Sequence, residues 1–164
     1  MYILRNENNE IIAWSTSQVN EQYIWTDEEV VEVGSKMFLA SQLEEIANAQ
    51  LETAKADKLA ELKSIRDFKE VEPLQTSKGL FDYDDKSRDR LAIARQALMD
   101  NEGMESILWT TADNQRVPLT VEDFAEINSM AAYRSNSLHI KYNELKITVN
   151  EAQTKEEVEA VVWE

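Results

Sequence analysis

The spacing of hydrophobic and polar positions changes several times along the chain, and each change marks an element. In Met1–Ser15 two apolar runs, Tyr2-Ile3-Leu4 and Ile11-Ile12-Ala13-Trp14, flank the polar segment Asn6-Glu7-Asn8-Asn9. Asn tolerates left-handed backbone geometry and bonds its own main chain, so the segment predicts a hairpin turn. Gln22–Thr26 and Val30–Val33 read as a second pair of strands, with Gly34 as the stop. A β unit of residues 1–35 is marginal alone and needs a partner surface.

From Ser35 to about Val71 Gly and Pro are absent, and Ala, Leu, Glu and Lys, all strong helix formers, dominate. Ser41 and Glu44 have capping-box spacing, at the start of this segment or inside it. Leu39, Leu43, Ile46, Ala47, Ala54, Leu59, Leu62, Ile65 and Phe68 recur at three, four or seven. The pattern predicts a long helix over 36–71, roughly 30 residues and on the order of 45 Å. Lys55 and Lys58 interrupt the stripe. Two readings of the helix therefore stand open. It pairs with copies of itself as a short coiled coil, or it packs along its own C-terminal domain. In the first reading Leu39, Leu43 and Ile46 are interface candidates.

Glu72-Pro73 ends this helix, because proline disfavours helix in the preceding residue. Residues 72–164 then read as a helix-rich α+β domain. Its centre is Lys78–Asp100: a turn at Gly79, a short strand Leu80–Tyr83, and a helix opened by Asp84, Asp85 and Ser87. Their side-chain oxygens suit the orphan N–H groups and positive dipole of a helix N-terminus. Leu91, Ala94 and Leu98 form its apolar stripe, widened by Ile93 and Ala97. Asn101-Glu102-Gly103 closes the helix with Gly103 at a C′ position. Ile107–Thr111 and Arg116–Leu119 read as a hairpin turning at Asp113-Asn114, with Pro118 confining the second strand to an edge. Thr120 caps a second long helix, Val121 to about Leu145, with Phe124, Ile127, Ala131, Leu138, Tyr142 and Leu145 facing inward. Thr154–Glu157 has the capping-box form and opens a last helix, Lys155–Val162. The fold class expected is α+β: a small N-terminal β unit, a long connecting helix, and a helix-rich C-terminal domain with short hairpins.

Composition narrows the function classes. The net charge is −15, from 32 acidic and 17 basic residues. Such a surface repels phosphate backbones and anionic lipids, so neither nucleic acid nor membrane is an expected partner. The absence of Cys excludes disulfides, thiol chemistry and Cys-ligated zinc. No basic segment followed by an apolar run opens the chain, and no apolar run approaches the roughly 20 residues of a membrane span. No secretion signal is therefore expected, and synthesis in a cytoplasm is.

No constellation singles out catalysis. Asp82, Asp84, Asp85 and Asp89 are the densest carboxylates. Counted from Asp82, a calcium loop would need Gly where Ser87 stands and Glu where Ile93 stands. His139 is the only histidine, and Ser135 and Ser137, its nearest serines, lack the glycines of a nucleophile elbow. No Gly-rich phosphate loop exists. No catalytic residue, metal or cofactor is expected. Trp14, Trp25, Trp109 and Trp163 are expected mainly as core residues, with Trp163, at the end of the chain, the best interface candidate among them.

The succession RD, FDYDDKSRDRLAIARQAL, ILWTTADNQRVPLTVEDFAEI and ITVNEAQTKEEVEAV resembles a domain of unknown function that recurs in tail-fibre and tail-assembly proteins of tailed bacteriophages and prophages. The resemblance covers about residues 58–164, and the N-terminal hairpin is similar to the openings of phage tail-fibre assembly proteins. It implies a non-enzymatic, tail-fibre-associated structural protein that binds a fibre or baseplate subunit, located in the virion tail or, during assembly, in the host cytoplasm. The alternative is a fibre-assembly chaperone that leaves the particle. A remoter alternative is an acidic inhibitor of a host enzyme, which would need its charges arrayed on one face.

Overall fold

A computed structural model describes Met1–Glu164 and is α+β: an N-terminal antiparallel sheet, a long helix, and a helical C-terminal region with short hairpins. It divides into two compact units, Met1–Ala56 with Gln153–Lys155, and Asp57–Ala152 with Glu156–Glu164. The division falls inside the long helix, not at the ends of the segment 36–71.

The first unit holds a five-stranded sheet of β1 (Tyr2–Arg5), β2 (Ile11–Ser15), β3 (Ile24–Trp25), β4 (Val30–Val33) and β5 (Lys36–Leu39), in the order β3-β1-β2-β5-β4. Strands β1 (Tyr2–Arg5) and β2 (Ile11–Ser15) form the expected hairpin. Asn6 Oδ1 accepts from the N–H groups of Asn8 at 3.0 Å and Glu10 at 2.9 Å, and Asn9 takes φ 65°. The Asn-rich segment thus supplies both the left-handed residue and the local acceptor that the turn needs. Strand β3 is confined to Ile24–Trp25, shorter than the run Gln22–Thr26.

Strand β4 (Val30–Val33) pairs with β5 (Lys36–Leu39), from Val30↔Leu39 to Val33↔Lys36. This corrects the helix start. Gly34, at φ 63°, is the pivot of a tight turn, and Met37 and Leu39 alternate inward from β5. Cross-strand pairing here overrides helix propensity. Leu39 is buried with Ile3 and Ile11 in the small sheet core.

Helix α1 therefore runs Ala40–Glu70. Its cap is also not Ser41 with Glu44. Gln42 Oε1 accepts from the Leu39 N–H at 2.9 Å, and Glu28 Oε2 accepts from the Ser41 N–H at 3.3 Å. Leucine at the N-cap offers no acceptor, so a carboxylate from the preceding loop takes that part.

In the second unit β6 (Leu74–Thr76) and β7 (Gly79–Phe81) form a hairpin across Ser77-Lys78. Only β7 has a counterpart in the residue pattern, and it takes in Gly79, expected as the turn, and stops at Phe81 instead of Tyr83. Gly79 has φ 127°, and a Cβ there would meet the Thr111 methyl at 3.4 Å. The second hairpin, β8 (Ile107–Thr110) with β9 (Arg116–Leu119), turns through Asn114 at φ 63°. The two hairpins are tied by the Ala112 N–H donating to the Leu80 carbonyl at 2.7 Å.

Helix α2 (Asp85–Asp100) is capped by Asp84, whose side chain accepts from the Ser87 N–H at 2.7 Å. Leu91, Ala94 and Leu98 are buried, but Ile93 is exposed, so the stripe is narrower than its composition suggests. Asn101 ends the helix in extended backbone, so Gly103 is not its left-handed C′ residue. Helix α3 (Val121–Glu151) carries the full Thr120–Asp123 capping box and continues six residues past Leu145. Val149 is fully buried, which gives that extension its anchor. The last helix, α4, is only Lys155–Glu159. The core of the unit gathers Leu74, Phe81, Leu91, Leu98, Leu119, Phe124 and Ile127, with Trp109 edge-on to Phe124 at 6.3 Å. Burying Phe81 and Phe124 stabilises by about 1.5–3 kcal/mol each.

Candidate functional site

Two groups of residues stand out: an apolar surface on the N-terminal sheet and a polar cluster in the second unit.

The sheet surface follows from register. Ile3 pairs with Trp14 on one side and Ile24 on the other, so these three side chains share a face. Tyr2 pairs with Trp25 and Ser15 and lies on the opposite face. Ile3 is buried, while Trp14 is 52% and Trp25 61% exposed. Tyr2 and Trp25 meet edge to face at 5.2 Å. The β1–β2 register shifts between Leu4 and Arg5, which leaves Ile12 opposite no residue and turned to solvent. Beside it β2 meets β5 only through Ile11↔Met37, so Ala13–Ser15 have a free edge. Glu10 sits at the same margin. The Asn6 amide, then the Lys36 ammonium, hold its carboxyl below the usual range. Trp14 and Trp25 are thus not core residues: a five-stranded sheet this small has no second layer over these positions to bury them.

Leu43 is half-buried and Ile46 exposed on α1. Leu39 drops out of that stripe because it ends a strand. Further along α1 Leu62 is fully buried and Leu59 and Ile65 are half-buried, so the apolar seam is not free along the helix. Trp163 is half-buried with the Lys141 ammonium 5.8 Å from its ring centre, and Lys141 donates to the Glu164 carbonyl.

The polar cluster sits where the last turns of α1 run antiparallel to α3. Arg66 lies over the Tyr142 ring at 4.8 Å, and Glu70 meets Ser135 and His139. Ser135 donates to one Glu70 oxygen, and His139 Nε2 lies 3.7 Å from the other. The structure brings Ser135 and His139 to one carboxylate, whereas Ser137 is exposed and outside the cluster. The carboxylate stands between serine and imidazole. A nucleophilic serine needs the base on its own oxygen, so this order orients side chains and does not activate Ser135.

Arg134 carries the rest of the cluster. It donates to the Glu70 carbonyl at 2.6 Å and the Glu72 carbonyl at 2.5 Å, and stacks over Tyr83 at 5.2 Å. Arg88 approaches the same ring at 5.8 Å. Desolvation lowers the Arg134 pKa, against the pull of Tyr83, Glu72 and Glu70. A guanidinium here satisfies the orphan carbonyls where Pro73 forbids the helix to continue. A small cleft of about 220 Å³ opens between Tyr83, Arg88, Asn128 and Ser135. The residue pattern did not single out Arg134, because its carbonyl partners lie more than 60 positions away.

Asp84 is a helix cap and its carboxyl is held low by the Ser87 backbone and side chain. Asp82, Asp85 and Asp89 are exposed, Asp85 pairing with Arg88. No group of three or more His, Asp or Glu is placed to hold a metal ion. No helix is long and apolar enough to cross a membrane.

A family model described as a domain of unknown function (DUF4376) matches residues 53–162. Neither the curated proteins nor the solved structures yield a match.

Proposed function

We propose that this chain, which belongs to the DUF4376 family, is a non-enzymatic protein associated with the tail fibre of a tailed bacteriophage or phage-tail-like particle, acting by protein–protein binding. The setting rests on the likeness of its motif succession to tail-fibre and tail-assembly proteins. The binding mode is supported by one observation: around the edge strand β3 of the N-terminal sheet, Trp14 and Ile24 are exposed on one face and Trp25 on the other. Large aromatics that are rigid and half-exposed are the side chains that anchor protein interfaces. The partner in this reading is a fibre or baseplate subunit, and the chain is a retained structural component of the tail.

Mass spectrometry of purified tail particles from the source strain tests the setting. A fixed ratio of this chain to the fibre subunit supports a structural role. Abundance in the lysate with absence from particles replaces that role by a chaperone that leaves after assembly. Co-purification with the fibre subunit then tests the surface. The double variant Trp14→Ser, Trp25→Ser is expected to lose at least tenfold in affinity, since truncating one buried aromatic anchor costs about 2 kcal/mol or more. Unchanged affinity would remove the sheet from the interface.

A further inference from the structure

Helix α3 buries Phe124, Ile127 and Ala131 on one side. On the opposite side Tyr133, Ile140 and Ile147 recur every seven residues and are 77%, 51% and 57% exposed. At 100° per residue these three fall within about 40° of one another, roughly opposite the core face. Ser129, Asn136, Asn143 and Asn150 recur at the same period, each three residues after or four before a member of the first row. All four are exposed. Alternating steps of four and three are the a and d spacing of a coiled-coil seam, here with large apolar residues at one position and short polar ones, Ser or Asn, at the other. A seven-residue repeat is matched by another helix and by no other secondary structure.

Side-chain size selects the occupant and its direction. Glu126, one heptad before Tyr133, accepts from Ser77 of its own chain, so the large row begins at Tyr133. In a parallel pair each large side chain would face its own copy, and each Asn another Asn. In an antiparallel pair Ile140 lies against Asn136 of the second copy, Tyr133 against Asn143, and Ile147 against Ser129. Large side chains then meet shorter ones, as close packing requires. We propose that this chain self-associates through α3, its Tyr133–Ile140–Ile147 stripe packing antiparallel against the same face of a second copy. The inference is independent of the tail-fibre reading, and it moves self-association from α1, whose seam is partly covered, to α3.

Because each copy carries a net charge of −15, association strengthens with salt as the mutual repulsion is screened. Sedimentation equilibrium of the full chain at about 100 µM, in about 50 mM and about 0.5 M salt, is expected to show a dimer that tightens in the higher salt. Ile140→Arg is expected to weaken dimerisation about 30-fold or more, because two symmetry-related apolar burials are lost. Its circular dichroism should match the parent, since position 140 is half-exposed. Ile140→Leu should remain dimeric. The chain has no native cysteine, so Asn143→Cys reports direction. An antiparallel pair sets position 143 against Tyr133 and forms no disulfide dimer on mild oxidation, and a parallel pair forms one readily. A monomer in high salt, an Ile140→Arg dimer of parental affinity, or a disulfide-linked Asn143→Cys dimer would each overturn the proposal.

Discussion

Replacing Arg134 by Leu tests whether one guanidinium holds the end of α1 to α3. The side chain makes two charge-assisted bonds, to the Glu70 and Glu72 carbonyls, and a ring contact with Tyr83. Bonds to charged groups contribute about 1.5–3 kcal/mol each when buried. Arg134 is only half-buried, so about 1–1.5 kcal/mol each is the fitting range. The cation–π contact adds about 0.5–1 kcal/mol. The expected loss is therefore about 3 kcal/mol, or roughly 10–20 °C in Tm for a unit of this size. Urea unfolding followed by circular dichroism reads it. Arg134→Lys keeps the charge but cannot fork to two carbonyls, so it should recover less than half of the loss. A Leu variant within about 0.5 kcal/mol of the parent, or a Lys variant equal to Arg, would refute the clasp.

Three further substitutions test two joints. Glu28→Ala removes the carboxylate that accepts the Ser41 N–H, and Gln42→Ala removes the partner of the Leu39 N–H. Each is expected to cost about 0.5–1 kcal/mol, with larger loss of amide protection in the first turn of α1 than elsewhere, measured by hydrogen exchange. Glu126 accepts from the Ser77 hydroxyl at 2.5 Å and the Ser77 N–H at 2.9 Å, and these bonds lower its pKa from 4.5. The native state thus binds fewer protons than the unfolded state, so the contribution is fully present above about pH 4.5 and is lost as pH falls through the folded pKa. The stability gap between the parent and Glu126→Ala should be constant from pH 7 to about 5.5 and close below 4.5; a gap that widens on acidification contradicts the assignment.

What the residue order discloses is mostly local. The Asn6–Asn9 turn, the Asp84 cap and the Thr120 capping box each satisfy their own backbone within a few residues, so pattern alone locates them. The failures are non-local. Lys36–Leu39 reads as helix in isolation and becomes strand because Val30–Val33 pairs with it. Arg134 has no distinguishing neighbours, and its carbonyl partners arrive only when α1 and α3 align. Trp14 and Trp25 have the composition of core strands, yet they lie outward because burial depends on what covers a sheet. The extension of α3 to Glu151 rests on Val149, a single buried residue that periodicity underweights beyond Leu145.

The two exposed apolar surfaces lie in different units: Trp14, Ile24 and Trp25 in the first, and Tyr133, Ile140 and Ile147 in the second. On a chain of net charge −15, apolar residues left in solvent are held from indiscriminate association by long-range repulsion, while a matched surface still gains at contact distance. If the sheet binds a fibre or baseplate subunit and α3 binds a second copy, the two events should separate by mutation. Trp14→Ser with Trp25→Ser should abolish partner capture and leave the sedimenting mass unchanged. Ile140→Arg should give a monomer that still binds the partner, but with weaker apparent affinity on an immobilised fibre surface, where a dimer engages twice and gains by effective concentration. On a partner held in dilute solution that second gain disappears, and Ile140→Arg should bind as the parent does. Loss of partner binding in dilute solution by Ile140→Arg would mean that one surface serves both events, and the division of labour between sheet and helix would fall.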